Sequence, residues 1–131
     1  MQITKDFNKA EFNSKDGAVM PYEVYENIKV LAIQLQRIRD EIKQPLHINS
    51  AYRSPEHNAK IGGVKNSQHV LGKAADLTCK NLTPKQLSKV IIKLMDNGTI
   101  KSGGIGLYNG FVHYDIRGIK AKWDNSSLFN F

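Results

Sequence analysis

The sequence has little cysteine: Cys79 is the one cysteine among 131 residues. One cysteine cannot form an intramolecular disulfide, and one thiolate cannot supply the several sulfur ligands of a cysteine-rich metal site. Any metal ion in this protein must therefore be held by histidine and carboxylate ligands. Stability must come from a packed core.

Long apolar runs are also missing. No segment approaches the ~18 consecutive apolar residues of a membrane-spanning helix, and the polar start from Met1 to Asn8 has no apolar signal-peptide core. We therefore expect a protein that is synthesised in the cytoplasm without a signal peptide and does not insert into membranes. If its target is the cell wall, release by lysis or carriage on a virion would deliver it there.

Acidic residues are fewer than basic ones. Twelve Asp and Glu stand against nineteen Lys and Arg, which gives a net charge of +7. This excess favours anionic partners such as cell-wall polymers, nucleic acid or acidic membranes. A basic nucleic-acid-binding domain is an alternative that only the net charge supports, because the cations form no dense run. We expect cell-wall polymers as partners and no nucleic acid.

The length favours one domain over residues 1–131, with a short tail at 124–131. A helix is predicted from Tyr22 to Ile42, because apolar residues recur there at spacings of four and three. Pro21 suits its first turn, and Pro45 ends it, since the residue before a proline resists helical geometry.

A second helix is predicted to begin after Thr83, because Thr83 and Gln86 form a capping box around Pro84. Asn97-Gly98 ends this helix. Strands are predicted at 46–50, 73–80, 103–108 and 111–116, with Asn109-Gly110 as a hairpin turn between the last two. These segments predict an α+β fold in which helices flank an antiparallel sheet.

The densest cluster of polar, potentially ligating residues is the segment 67–76, of the form S-x-H-x-x-G-x-A-x-D. Gly72 allows a tight turn between His69 and Asp76, so an imidazole and a carboxylate can converge. His113 lies in the last predicted strand, which a hairpin-built sheet can place beside the Asp76 strand. Two imidazoles and one carboxylate leave a tetrahedral Zn²⁺ one open position, as in catalytic sites.

These residues carry a resemblance to a known family. The 67–76 segment, with His113 in Phe-Val-His-Tyr-Asp-Ile-Arg, resembles the zinc-site motifs of the zinc D-Ala-D-Ala carboxypeptidase family of metallopeptidases. That family includes the L-alanyl-D-glutamate endopeptidases of phage endolysins and shares its fold with the Hedgehog signalling domain. The segment Ser50-Ala51-Tyr52-Arg53-Ser54 is similar to a further family motif, so the resemblance covers residues 46–117, most of the chain beyond the first helix.

The resemblance implies a zinc hydrolase that cuts a peptide bond in peptidoglycan stem peptides, as an endopeptidase or a DD-carboxypeptidase. It assigns His69, Asp76 and His113 as the zinc ligands. It also implies that Arg53 is a catalytic and substrate-binding residue that holds a substrate carboxylate or polarises the scissile carbonyl. Ser67 would hydrogen-bond the substrate. A monomer is expected.

The sequence departs from the family pattern at the general base. Many members carry an acid three residues before the last histidine ligand, where this chain has Gly110. Asp115 lies two residues after His113 on the same strand face, and a branch of the family resembles this chain in having H-x-D there, so Asp115 is the candidate base. The alternative is that Asp115 orients a zinc histidine or anchors Arg117.

Other interpretations remain open for the remaining residues. The missing acid at Gly110 motivates an alternative function, a catalytically silent cell-wall-binding module that keeps zinc. Arg53 could instead pair with Glu56, and Ser67 could be a plain turn residue. Three aromatic residues could edge a substrate groove, although core packing is the default for aromatic residues in a sheet; these are Tyr108, Tyr114 and Trp123.

Overall fold

The structure, a computed structural model, describes residues 1–126 as a five-stranded sheet with helices packed beside it. The elements in chain order are a 3-10 helix at Lys9–Phe12, α1 at Tyr22–Ile42, β1 at His47–Ser50, α2 at Pro55–Lys60, β2 at Ala74–Thr78, α3 at Pro84–Asp96, β3 at Gly104–Leu107, β4 at Val112–Asp115 and β5 at Ala121–Asp124. This architecture confirms the α+β prediction.

Helix α1 has the predicted bounds, and its apolar stripe is buried in the core. The helix ends where Lys43 adopts the left-handed conformation with φ of 56°. The placement of Pro21 in the first turn was wrong. Pro21 is the extended residue before the helix, and its carbonyl accepts a hydrogen bond from the Tyr25 backbone at 3.0 Å.

Helix α3 begins as the capping box predicts. The Thr83 hydroxyl accepts from the Gln86 backbone N–H at 3.1 Å, and the Gln86 side chain accepts from the Thr83 N–H at 2.9 Å. The helix ends at Asp96, before Asn97. Its apolar stripe lies in the same core as that of α1, which confirms both helices.

The sheet has the strand order β1-β2-β4-β3-β5. The first four strands pair antiparallel, as predicted, and the β3–β4 hairpin closes through Tyr108, whose N–H donates to the Phe111 carbonyl at 3.0 Å. In the β2–β4 ladder Asp76 lies directly opposite His113. The sheet register therefore places two of the three predicted ligands side by side.

Strand β5 corrects the sequence analysis in two ways. It pairs with β3 in parallel, so the sheet is not antiparallel throughout. It also includes Asp124, so the predicted tail at 124–131 begins too early; residues 127–131 lie outside the described part of the chain. Residues 119–124 alternate apolar and polar side chains, a strand signal that the sequence analysis missed, and the edge of β3 provides the hydrogen-bonding partner for the strand.

The segment Gly104–Gly106 allows close packing of β3 against its neighbours. A Cβ atom on Gly106 would overlap Nε1 of the Trp123 indole. Gly106 therefore lets the indole of β5 lie directly against the neighbouring strand. Directly after β2, Cys79 is 8% exposed and belongs to the hydrophobic core, so it acts as a small apolar residue.

The helices within residues 1–126 were compared with the length and apolarity that a membrane span requires. None of these helices is long and apolar enough to cross a bilayer.

We predict that Gly106→Ala destabilises the protein by about 1–3 kcal/mol, because the added methyl group overlaps the Trp123 ring. Gly110→Ala is the matched control, since a Cβ at Gly110 meets nothing within 4 Å. Urea unfolding followed by circular dichroism measures both. Equal stability of the two variants would contradict the proposed packing.

Candidate metal centre

The structure brings His69, Asp76 and His113 together as the sequence predicts. One ligand atom from each residue lies within 4.8 Å of the others, and all three side chains are buried. Asp76 and His113 come from paired strands, whereas His69 comes from the turn that precedes β2.

The turn that carries His69 is fixed by its own hydrogen bonds. The Ser67 hydroxyl oxygen accepts from the His69 N–H at 3.1 Å, and the Gly72 N–H donates to the His69 carbonyl at 3.1 Å. Gly72 has φ of +74°, and a Cβ there would lie 2.7 Å from Cγ1 of Val24. Glycine is required here both for the backbone conformation and for contact with α1.

Each histidine is oriented by an acceptor on its outer nitrogen. His69 Nδ1 lies 2.7 Å from the Ala51 carbonyl, and His113 Nε2 lies 2.7 Å from Asp115 Oδ2. Because a carbonyl and a carboxylate accept hydrogen bonds, each of these nitrogens carries the proton. A neutral ring then turns an unprotonated nitrogen inward, Nε2 of His69 and Nδ1 of His113.

The inward nitrogens converge on one carboxylate oxygen. Oδ1 of Asp76 lies 3.2 Å from His69 Nε2 and 3.3 Å from His113 Nδ1. The lone pairs of these nitrogens and of the carboxylate oxygen would repel each other at this distance unless a proton or a cation lay between them. A divalent cation can replace that proton, and two imidazoles with one carboxylate are a ligand set that suits zinc.

The pKa values at this centre reflect the same contacts. Burial raises the pKa of Asp76, but His113 and His69, which donate hydrogen bonds to this carboxylate when their rings are protonated, outweigh burial and hold this pKa well below its ordinary value. Burial lowers the pKa of His113, and hydrogen bonds to Asp115 and Asp76 outweigh it, so this pKa is raised. The centre thus favours an ionised carboxylate, as a metal ligand must be.

Asp115 lies behind His113, not on the cavity surface, and is 0% exposed. Oδ1 accepts from the Gly104 N–H at 2.8 Å and from Arg117 Nε at 2.9 Å, while Oδ2 accepts from Arg117 Nη2 at 2.8 Å. Burial raises the pKa of Asp115, but the hydrogen bonds from His113 and Arg117 reverse this and hold it low. The geometry favours the alternative in which Asp115 orients His113 and anchors Arg117.

Arg53 lies beside the centre and lines the cavity. Its guanidinium donates to Asp76 Oδ2 at 3.2 Å and to Asn58 Oδ1 at 3.3 Å. The pairing with Glu56 is not the arrangement found. Asp76 therefore holds Arg53 through one oxygen and faces both histidines through the other.

The loop that carries Arg53 is held by the N-terminal segment. Ser54, the residue after Arg53, donates its N–H to the Ser14 hydroxyl at 3.0 Å and its hydroxyl to Asp16 Oδ2 at 2.6 Å. Hydrogen bonds from the Ser54 side chain first, then from the Ser14 side chain and the Ala18 N–H, lower the pKa of Asp16 to about 2. Sequence analysis missed this support, because Ser14 and Asp16 belong to no motif and lie far from Arg53 in the chain.

The ligand cluster opens into a cavity of about 520 Å³. Ser67 lines it, so this residue both fixes the turn and faces the cavity. Tyr108 and Trp123 also line it, whereas Tyr114 is buried in the core. Asp76 is the one carboxylate among the lining residues that the structure describes. Arg117 reaches the same cavity, which the sequence analysis did not predict.

Comparisons with known proteins agree with this geometry. A family model described as peptidase M15 matches residues 3–115. The zinc D-Ala-D-Ala carboxypeptidase of Streptomyces albus G is 32% identical over 73 residues, which are 55% of this chain and 29% of that enzyme. The chain thus spans less than a third of the length of this relative.

We predict that Asp115→Asn lowers the affinity for Zn²⁺ by about 10- to 100-fold, because the carboxylate that orients His113 is lost. Titration of the metal-free protein with Zn²⁺ against a competing chelator measures this, with circular dichroism to verify folding. Asp96→Asn, at an exposed carboxylate on α3, is the control and should not change the affinity. Unchanged Zn²⁺ affinity in a folded Asp115→Asn would contradict the orienting role.

Proposed function

Because the chain belongs to the peptidase M15 family, we propose that it is a zinc-dependent peptidase that hydrolyses a peptide bond in the stem peptide of peptidoglycan. The observation that carries this proposal is the buried group of His69, Asp76 and His113 at the floor of an open cavity. The similarity to a zinc D-Ala-D-Ala carboxypeptidase supports both the metal and the substrate class. Both endopeptidase and carboxypeptidase activity are compatible with this site.

His69 Nε2, His113 Nδ1 and a carboxylate oxygen of Asp76 would hold the zinc ion. Bound zinc would lower the pKa of its water towards ~7 and polarise the scissile carbonyl. The residues around the ligands keep them in place: the Ala51 carbonyl fixes the His69 ring, and Asp115 fixes the His113 ring.

Arg53 and Ser67 would act on the substrate. The Arg53 guanidinium is already oriented by Asp76 and Asn58, so it can bind a substrate carboxylate or the developing oxyanion with little loss of side-chain entropy. The Ser67 oxygen accepts a backbone hydrogen bond, and its hydroxyl proton, which has no acceptor within residues 1–126, can donate into the cavity.

One observation favours the second candidate, a catalytically silent zinc-containing cell-wall-binding module. Among the described lining residues the one carboxylate is Asp76, which is already a metal ligand, and Gly110 stands where many relatives of this type carry an acid. The predicted base Asp115 would have to act from behind His113. Zinc binding and hydrolysis must therefore be measured separately.

The net charge of +7 supports adsorption to anionic wall polymers in either case. Delivery by lysis or on a virion and the monomeric state stay predictions.

We predict that the metal-free protein releases new peptide ends from purified peptidoglycan only after Zn²⁺ is added. Mass spectrometry of the fragments identifies the bond that is cut. His69→Ala should abolish both zinc binding and cleavage, whereas His47→Ala, at an exposed histidine on β1, should change neither.

Three outcomes are distinguishable. Zinc-dependent cleavage supports the peptidase. Stoichiometric zinc binding with retention on the wall but no cleavage supports the silent module. Failure to bind zinc contradicts both proposals.

A further inference from the structure

The cavity has a second side, across the metal centre from Arg53. The ligands Asp76 and His113 lie on β2 and β4, with β1 on one side of this pair and β3 and β5 on the other. Arg53 follows β1, whereas Trp123 lies on β5 and its ring centroid is 5.1 Å from that of His113. Tyr108, Trp123 and Arg117 form this second side, which we name the β5-side wall.

Tyr108 is held so that its hydroxyl proton is available. Trp123 Nε1 donates to the Tyr108 oxygen at 3.0 Å, and the Tyr108 ring stacks on Phe111 with centroids 4.4 Å apart. An indole N–H can only donate, so the Tyr108 oxygen is the acceptor and its O–H is left to donate elsewhere. Within residues 1–126 it has no acceptor for that proton.

Arg117 also has an unused donor group. Nε and Nη2 donate to Asp115, while Nη1 has no partner among the residues that the structure describes. The guanidinium lies 5.4 Å from the centroid of the Trp123 ring and lines the cavity. Its position is thus fixed by an ion pair and by an aromatic face, with Nη1 free for a ligand.

The chemistry of the β5-side wall selects an anion. Arg117 supplies a positive charge and N–H donors, and Tyr108 supplies an O–H donor. The one carboxylate among the described lining residues is Asp76, on the β2 strand, so nothing in this wall would pair with a substrate ammonium group. A carboxylate matches a guanidinium and a phenol hydroxyl in both charge and hydrogen bonding.

We propose that the β5-side wall binds a second substrate carboxylate, across the metal centre from the group that Arg53 holds. The preferred substrates are therefore stem peptides with a free carboxylate within the peptide in addition to the C-terminal one. This inference rests on the proposed peptidase function and adds a specificity determinant to it.

The test uses the zinc-loaded protein and the peptide L-Ala-γ-D-Glu-meso-diaminopimelate-D-Ala-D-Ala. Two analogues carry an amide in place of one carboxylate, on D-Glu or on diaminopimelate, and keep the C-terminal carboxylate. We expect one of the two amidations to raise KM about tenfold or more with little change in kcat, because a hydrogen-bonded charge is lost from binding.

Tyr108→Phe tests the β5-side wall without changing Arg53 on the other side of the cavity. It keeps the ring that stacks on Phe111 and removes the hydroxyl donor, whereas an Arg117 substitution would also disturb Asp115. We expect Tyr108→Phe to raise KM for the unmodified peptide and to reduce the further effect of the sensitive amidation, since both changes remove the same contact. Tyr22→Phe, at an exposed tyrosine that begins α1, is the matched control.

Binding can be followed without turnover, because Trp123 is the one tryptophan in the chain. Stopped-flow fluorescence should show a Trp123 signal on mixing with the unmodified peptide that weakens with the sensitive analogue. Equal KM and equal fluorescence for all three peptides would overturn the inference, as would fully additive effects of Tyr108→Phe and amidation. If zinc-loaded protein cleaves none of the peptides, the proposed function fails, and the fluorescence signal alone decides whether the wall binds the carboxylate.

Discussion

The antiparallel pairing of β2 with β4 is the constraint on which the rest of the site depends. It sets Asp76 opposite His113 and buries both between neighbouring strands. A shift of one residue in this register would turn the ligands to opposite faces of the sheet. The cost of burying these polar groups is offset because each ligand has partners that fix its orientation. His69 joins the pair from the turn before β2.

The partners of the ligands come from separate parts of the chain, so the metal centre and the fold support each other. The loop after β1 supplies the Ala51 carbonyl for His69 and the Arg53 guanidinium for Asp76. Asp115 supplies the acceptor for His113 and is itself balanced by Arg117. The metal centre thus depends on the residues that orient its three ligands as well as on the ligands themselves. Removal of an orienting residue should increase the mobility of a histidine ring even though the histidine is unchanged.

The sequence predicted those parts of the structure that depend on residues close together in the chain. The capping box at Thr83 and the apolar periodicity of α1 located both long helices, and the motif around His69 identified the ligand cluster. Strand β5 was missed although residues 119–124 alternate apolar and polar side chains. Its parallel pairing with β3 could not be predicted, because that pairing depends on the folded path of the chain, as does the hydrogen bond of Ser54 to Asp16. Asp115 shows that two residues on the same strand face need not reach the same cavity. It shares a strand face with His113, yet its hydrogen bonds and burial place it behind the histidine.

The central claim is that His69, Asp76 and His113 form one zinc centre with defined ligand atoms. A crystal structure of the zinc-loaded protein, with anomalous data collected on both sides of the zinc absorption edge, tests it most directly. The account predicts a single strong peak bound by His69 Nε2, His113 Nδ1 and an Asp76 oxygen. A zinc peak elsewhere, or coordination through the histidine nitrogens that face Ala51 and Asp115, would contradict it.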